Sequence, residues 1–256
     1  MTLDNSTLSL LNGRCSTRSW AATPLGDDEK RAILHSAMRA PTAGNMMLYS
    51  IIEVDDQALK DRLAETCDHQ PFIARAPWVL VFVADLQKWT DLFAAAGVER
   101  IAGAPHDVTP GPGELMLACC DALIAAQNAV VAAESLGIGS CYIGDILELG
   151  ETHAELLHLP RYTFPVTMLC LGRAKTPPRV VERYEKHVVH RNAYQRLSDA
   201  ELREVSDDLD GLYGARGFGA YANYAQEVYA RKVASDFALE ANRSVAWWLA
   251  RWGSDA

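Results

Sequence analysis

Apolar and polar positions follow two different rhythms along this chain. After Gly26-Asp27-Asp28, the residues Ile33, Leu34, Ala37 and Met38 recur three and four apart. That spacing predicts a helix with one apolar stripe, acids in its first turn and a stop at Pro41. Tyr49 to Val54 reads as a strand, and Gln57 to Thr66 as a short helix with Leu59 and Leu63 on one face. Trp78-Val79-Leu80-Val81-Phe82-Val83-Ala84 is apolar without a break, as expected of a central strand buried on both faces. From Asp85 to Gly113 the pattern weakens into helix fragments and loop, a stretch suited to a lid. Glu114 to Leu136 is a long helix, apolar nearly all round and stopped by Gly137. Such a helix must be covered on most sides, by its own domain or by a partner subunit. Cys141 to Gly144 is expected as a tight turn, Ala154 to Leu157 as a short helix and Pro165 to Leu171 as a second buried strand. In the stretch from Ala220 to Trp252, Tyr221, Tyr224, Val228, Phe237, Ala241, Val245, Trp248 and Trp252 fall near helical spacing. Strands and helices do not alternate regularly and nothing repeats, so an α+β layered fold is favoured over a doubly wound sheet.

Composition narrows the function classes. With 256 residues, 49% hydrophobic and 22% charged, the chain is an ordinary globular one with ample core. Lys plus Arg number 24 against 33 for Asp plus Glu, a net charge of -9. No nucleic-acid partner is expected at that charge, although one local basic pocket could still hold a phosphate. Met1-Thr2-Leu3-Asp4-Asn5 lacks the basic start of a secretory signal, and Leu115 to Ala133 is interrupted by Asp121, Gln127 and Asn128, so no membrane partner is expected. Cys15, Cys67, Cys119, Cys120, Cys141 and Cys170 form no CxxC pair, which reads as reduced cytoplasmic thiols.

Arg14-Cys15-Ser16-Thr17-Arg18 places two guanidiniums around a hydroxyl. By spacing alone it is either a grip for a phosphate monoester or a solvated basic turn, with Cys15 a small buried thiol rather than a phosphatase nucleophile. Gly137-Ile138-Gly139-Ser140-Cys141-Tyr142-Ile143-Gly144 follows a helix, not a strand, and so is no dinucleotide fingerprint. It can bring backbone amides up to a planar ligand, or simply stop a helix and start a strand. His187 and His190 lack the company of metal ligands, and Cys119-Cys120 reads as core filler. No Ser-His-Asp set or carboxylate pair stands out, and such an enzyme delegates its chemistry to a cofactor.

Taken in order, these segments resemble the FMN-dependent nitroreductase family over about Leu8 to Tyr194. Arg14-x-Ser16-x-Arg18 is similar to the family's N-terminal phosphate motif, and Ala40-Pro41-Thr42-Ala43-Gly44-Asn45 to its loop after the first helix. Gln70-Pro71-Phe72-Ile73-Ala74-Arg75-Ala76-Pro77 resembles the segment beside the flavin pyrimidine. Asp121 to Leu136 followed by the glycine-rich stretch resembles the dimer-spanning helix and the loop facing flavin N5. Arg179 and Arg183 fall where the family has late basic phosphate contacts.

The resemblance implies a layered fold with a central, mostly antiparallel sheet flanked by helices, in an intertwined homodimer. It implies an FMN-binding domain over residues 1–198 and a helical C-terminal extension over 199–256. It also implies ping-pong electron transfer from NADH or NADPH through FMN to a nitroaromatic, quinone or other small organic acceptor. The implied FMN contacts are Arg14, Cys15, Ser16, Arg18, Pro41, Thr42, Ala43, Asn45, Gln70, Ile143, Gly144, Arg179 and Arg183, with no protein catalytic residue and no metal. A non-catalytic flavin-binding protein, or a family offshoot performing dehalogenation, flavin fragmentation or azoline oxidation, stays open beside it. Met46-Met47-Leu48-Tyr49 replaces the family's frequent Gln-Pro-Trp after the Asn, and Cys15 replaces a frequent basic residue. Both departures bear on the acceptor rather than on the flavin.

Overall fold

The computed structural model describes residues 5–103, 109–177 and 179–253. Its elements in chain order are α1 (Ser6–Gly13), α2 (Asp27–Met38), β1 (Tyr49–Glu53), α3 (Gln57–Thr66), α4 (Pro71–Ala74), β2 (Trp78–Asp85), α5 (Gln87–Ala96), α6 (Pro112–Ser135), β3 (Gly139–Ile143), α7 (Gly150–Leu156), β4 (Thr163–Gly172), α8 (Asp199–Tyr213), α9 (Tyr224–Lys232) and α10 (Asp236–Gly253). The expected α+β fold is present. Four antiparallel strands run in the order β1-β2-β4-β3. Packing divides the chain into two compact units, Met1–Arg179 with Glu240–Ala256, and Val180–Leu239.

In the first unit, β2 is buried at every position, as its unbroken apolar run requires. Trp78, Leu80 and Phe82 face a layer built from α2 and α6, where Ile33 and Ala37 meet Ala122, Ala126 and Ala129. Val79, Val81 and Val83 face the opposite layer, which includes Leu63, Ile73 and Trp248. Alanines along one face of α6 let it lie close to the sheet. By length and composition alone α6 passes for a membrane-crossing helix, but nine of its residues are buried within the fold. Its other face leaves Met116, Leu117, Leu123 and Ile124 exposed.

Several expectations need correction. Residues 139–143 are a strand, not part of a tight turn. The outer edge of β4 has ladder groups that need partners, and Cys141, Tyr142 and Ile143 fit a half-buried strand once Gly139 has started it. The turn comes afterwards, in a short 3-10 helix at Asp145–Leu147. Cys15 is half-buried rather than buried, and Cys120 is exposed rather than core filler, because the alanine face of α6 takes the core side. The helical tail is two helices, broken between Lys232 and Asp236. The expected lid between Asp85 and Gly113 contains α5 and a 3-10 turn at Val98–Arg100, and its residues 104–108 lie outside the described residues.

The last helix belongs to the core of the first unit. Gly150 N–H donates to Ser244 Oγ (2.9 Å), and Leu149 N–H donates to Glu240 Oε1 (3.1 Å), so α10 satisfies donors at the start of α7. Trp248 stands edge-on to Phe164 at 5.7 Å, and Trp252 to Tyr162 at 5.8 Å. The second unit is held by its own polar and aromatic contacts. Lys186 binds Glu204 and Asp208, Arg216 pairs with Glu227 at 2.6 Å, and Tyr213 stacks on Tyr224 at 4.6 Å.

A methyl group on Gly150 would lie 2.6 Å from Trp248 Nε1 and 2.8 Å from Ser244 Oγ. Gly150→Ala is expected to cost about 1–3 kcal/mol by overpacking, read as a lower denaturant midpoint at unchanged slope.

Candidate functional site

Helix α1 ends at Gly13, and Arg14 turns the chain into an extended path. That path runs alongside β3, where Ser16 bridges Ser140 in parallel and Thr17 N–H donates to Ser140 O at 2.9 Å. Thr17 is buried, and its side chain occupies the place where any Cβ on Gly139 would stand. Gly139 is therefore required for close approach rather than for a special backbone angle.

This crossing gathers Arg14, Ser16 and Arg18 around the Cys141 thiol. Burial pushes that thiol up, while Arg18, the Ser16 hydroxyl and Arg14 pull it the other way. Glu134, near the end of α6, lies by the same group. Burial raises its carboxyl, with Arg14 and Ser140 opposing. Nη1 of Arg14 is buried without a hydrogen-bond partner among the described residues. A buried guanidinium N–H lacking an acceptor costs about 1–3 kcal/mol. Two guanidiniums, one of them carrying this orphan donor, together with a hydroxyl suit a phosphate monoester. Cys15 lies half-buried between Arg14 and Ser16.

A second group surrounds the loop after α2. Gly44, Asn45 and Met47 all take left-handed backbone angles (φ 56°, 57° and 51°), unusual for the two that carry side chains. Buried Asp121 of α6 accepts from Ala43 N–H at 3.0 Å and from Leu48 N–H at 3.1 Å. Thr42 Oγ1 accepts from Met47 N–H (3.1 Å), and Trp89 Nε1 of α5 donates to Met46 O (2.9 Å). Lys88 donates to Tyr49 O at 2.6 Å. Burial lowers its ammonium, with Asp85 and Asp121 opposing. Pro41 and Asn45 are exposed at the turn, whereas Thr42 and Ala43 are half-buried.

Gln70 caps α4, and its Nε2 donates to Cys67 O at 3.0 Å, which ties the amide to its own turn. Ile143 ends β3 and is buried, whereas Gly144 is exposed, with nothing within 4 Å of where a side chain would project. Arg179 and Arg183 are both exposed. Arg179 ends one segment of the first unit, and Arg183 belongs to the second.

The sequence reading passed over three residues that shape this region. Asp121 registered only as a break in an apolar run, although a lone acid in a core helix signals a buried partner. Glu134 gave no signal in an ordinary helix end. Arg173 was counted among basic residues, but it joins α2 to the end of α6 by binding Glu29 (2.5 Å) and Leu136 O (3.2 Å).

A model of the nitroreductase family matches residues 11–173. Over 212 residues the chain is 33% identical to the oxygen-insensitive NADPH nitroreductase of Salmonella typhimurium, covering 82% of this chain and 84% of that one. It is 32% identical over 209 residues to the FMN reductase (NADPH) of Bacillus subtilis, covering 81% of each. Among solved structures, B. megaterium NfrA2 superposes with a TM-score of 0.81 at 28% identity, covering 96% of this chain and 98% of that one. The NADPH:FMN oxidoreductase of Vibrio harveyi, solved with NAD+, gives 0.78 at 26% identity with the same coverage.

Glu148, four residues beyond Gly144, is buried with Oε1 unpartnered among the described residues. Burial, then Asp145, Asp68 and Glu240, push its carboxyl up to about 7. The folded state thus binds this proton more tightly than the unfolded state, so the stability it confers is full below about 4.5 and is lost as pH rises through about 7. Glu148→Gln keeps the neutral form. It is expected to melt a few degrees above wild type at pH 8, with the gap closing near pH 4 in a series of thermal melts.

Proposed function

The chain belongs to the nitroreductase family, and from that premise we propose that it is an FMN-dependent NAD(P)H oxidoreductase reducing a nitroaromatic, quinone or other small organic acceptor by a ping-pong scheme. Bound FMN supplies hydride chemistry at its N5, between the nicotinamide and the acceptor.

The observation that carries this reading is the convergence of Arg14, Ser16 and Arg18 on the edge strand, with an N–H of Arg14 itself left unpartnered among the described residues. There Arg14 and Arg18 would neutralise the cofactor's phosphate and Ser16 would add a short neutral donor. Cys141 and Gly144 are three residues apart along extended chain, about 10 Å. That separation suits a ligand with a phosphate at one end and a flat ring at the other. The open backbone at Gly144 would face the reactive edge of the ring, with Ile143 as apolar backing. Pro41, Thr42, Ala43 and Asn45 would border it from the loop after α2, and Gln70 from α4. Cationic and amide donors around a ring that gains negative charge favour its reduced form.

A homodimer is part of the proposal. Met116, Leu117, Leu123 and Ile124 recur at helical spacing on the outer face of α6. A contiguous apolar stripe of this kind is suited to a second copy of the same chain.

Purified protein is expected to be yellow, to release FMN on denaturation and to sediment at twice 28.1 kDa. Anaerobic NADH or NADPH should bleach the flavin band, and a quinone or nitroaromatic should restore it. A flavin left oxidised by both nucleotides would instead mark a non-catalytic carrier. Arg18→Ala is expected to weaken FMN by about 1.5–3 kcal/mol, roughly ten- to a hundredfold in Kd. Unchanged affinity removes Arg18 from the phosphate contacts.

A further inference from the structure

The turn from Thr42 to Leu48 does not hold its shape by its own hydrogen bonds. Three of its residues are left-handed, two of them not glycine. Its internal bonds are short-range: Asn45 N–H to Thr42 O at 3.3 Å, Met46 N–H to Ala43 O at 3.0 Å, and Met47 N–H to Thr42 Oγ1 at 3.1 Å. Such a conformation persists where the surroundings over-determine it. Two side chains from elsewhere in the fold do so. One is Asp121, whose single carboxylate receives N–H groups from both ends of the turn, Ala43 and Leu48. The other is Trp89 of α5, whose indole N–H holds Met46 O between them.

Asp121 is 3% exposed in a mostly apolar stretch of α6 and makes no salt bridge among the described residues, although the Lys88 ammonium lies near enough to feel its charge. A charge buried in that way is costly unless its hydrogen bonds are made. Here they go to loop backbone alone. What the carboxylate adds is a pair of acceptors that tie down both ends of the turn. That turn carries Thr42 and Asn45, with Asn45 held outward on its left-handed backbone.

We propose that Asp121 and Trp89 are positioning residues for the cofactor site. They lock the turn in one arrangement, so that Pro41, Thr42, Ala43 and Asn45 meet the flavin already in place rather than being ordered by it. The inference rests on the reading of the chain as an FMN enzyme. Pre-set contacts avoid the ordering cost that binding would otherwise carry.

The test uses the full chain, stripped of cofactor and titrated with FMN. Asp121→Asn keeps the shape but turns an amide N–H toward one of the two backbone donors. It is expected to bind FMN at least tenfold more weakly, with unchanged far-ultraviolet circular dichroism of the apoprotein. The flavin that does bind is expected to show a shifted visible band and less quenched fluorescence, which a loss of fold stability alone would not produce. Trp89→Phe removes the Met46 bond while keeping an aromatic ring and should act in the same direction, about threefold. Folded variants that bind FMN with wild-type affinity and spectrum overturn the inference, as does a lower melting temperature with an unchanged flavin spectrum. If Asp121→Asn fails to fold, Trp89→Phe decides by the same criteria. Wild-type protein that takes up no FMN sinks the cofactor reading and this inference together, whereas wild type and variants binding it equally sink only the inference.

Discussion

The close approach of residues 14–18 to the outer edge of β3 is the constraint on which the candidate site depends. A strand at the rim of a sheet has unpaired backbone groups, and here part of that edge is satisfied by the segment leaving α1. Contact is possible only because Gly139 has no side chain where Thr17 packs. Once the two backbones touch at Ser140, both guanidiniums and the Ser16 hydroxyl are delivered to the same thiol. The strand that receives them then runs on to the open backbone at Gly144. The geometry of this group is thus set by pairing along the edge of the sheet.

Charge is handled differently at the two ends of α6. Near its middle, Asp121 is deeply buried and spends its carboxylate on backbone N–H groups. Near its end, half-buried Glu134 lies beside Arg14 and leaves that guanidinium with an unused donor. The first arrangement ties down the turn, and the second leaves a guanidinium with an open donor. One helix supports the turn after α2 and lies beside the Arg14–Arg18 group at once, while its alanine face packs on the sheet.

How legible this was depended on the range of the interaction. The central strand Trp78–Asp85 could be read directly, because burial on both faces writes itself as an unbroken apolar run. Helix α2 was equally clear from its stripe and its acidic start. β3 was misread because it is five residues long, begins with glycine and owes its form to β4, some thirty residues later in sequence. The order of the motifs led to the family and to the Arg14–Arg18 segment. Nothing local to Asp121 disclosed that its partners lie 73 and 78 residues away. The exposed side of α6 was anticipated only as a need for cover, since composition does not say which side the sheet takes.

The return of α10 to the first unit has a consequence for how the protein is made. Trp248 and Trp252 complete a core whose other buried members lie between Leu48 and Cys170, among them Phe164 and Tyr162. That core cannot close while residues 240–253 are still on the ribosome. Val180–Leu239 emerges before the unit it interrupts is finished. The nascent chain therefore waits with Phe164 and Tyr162 still lacking their tryptophan cover, a window in which a holding chaperone has something to bind.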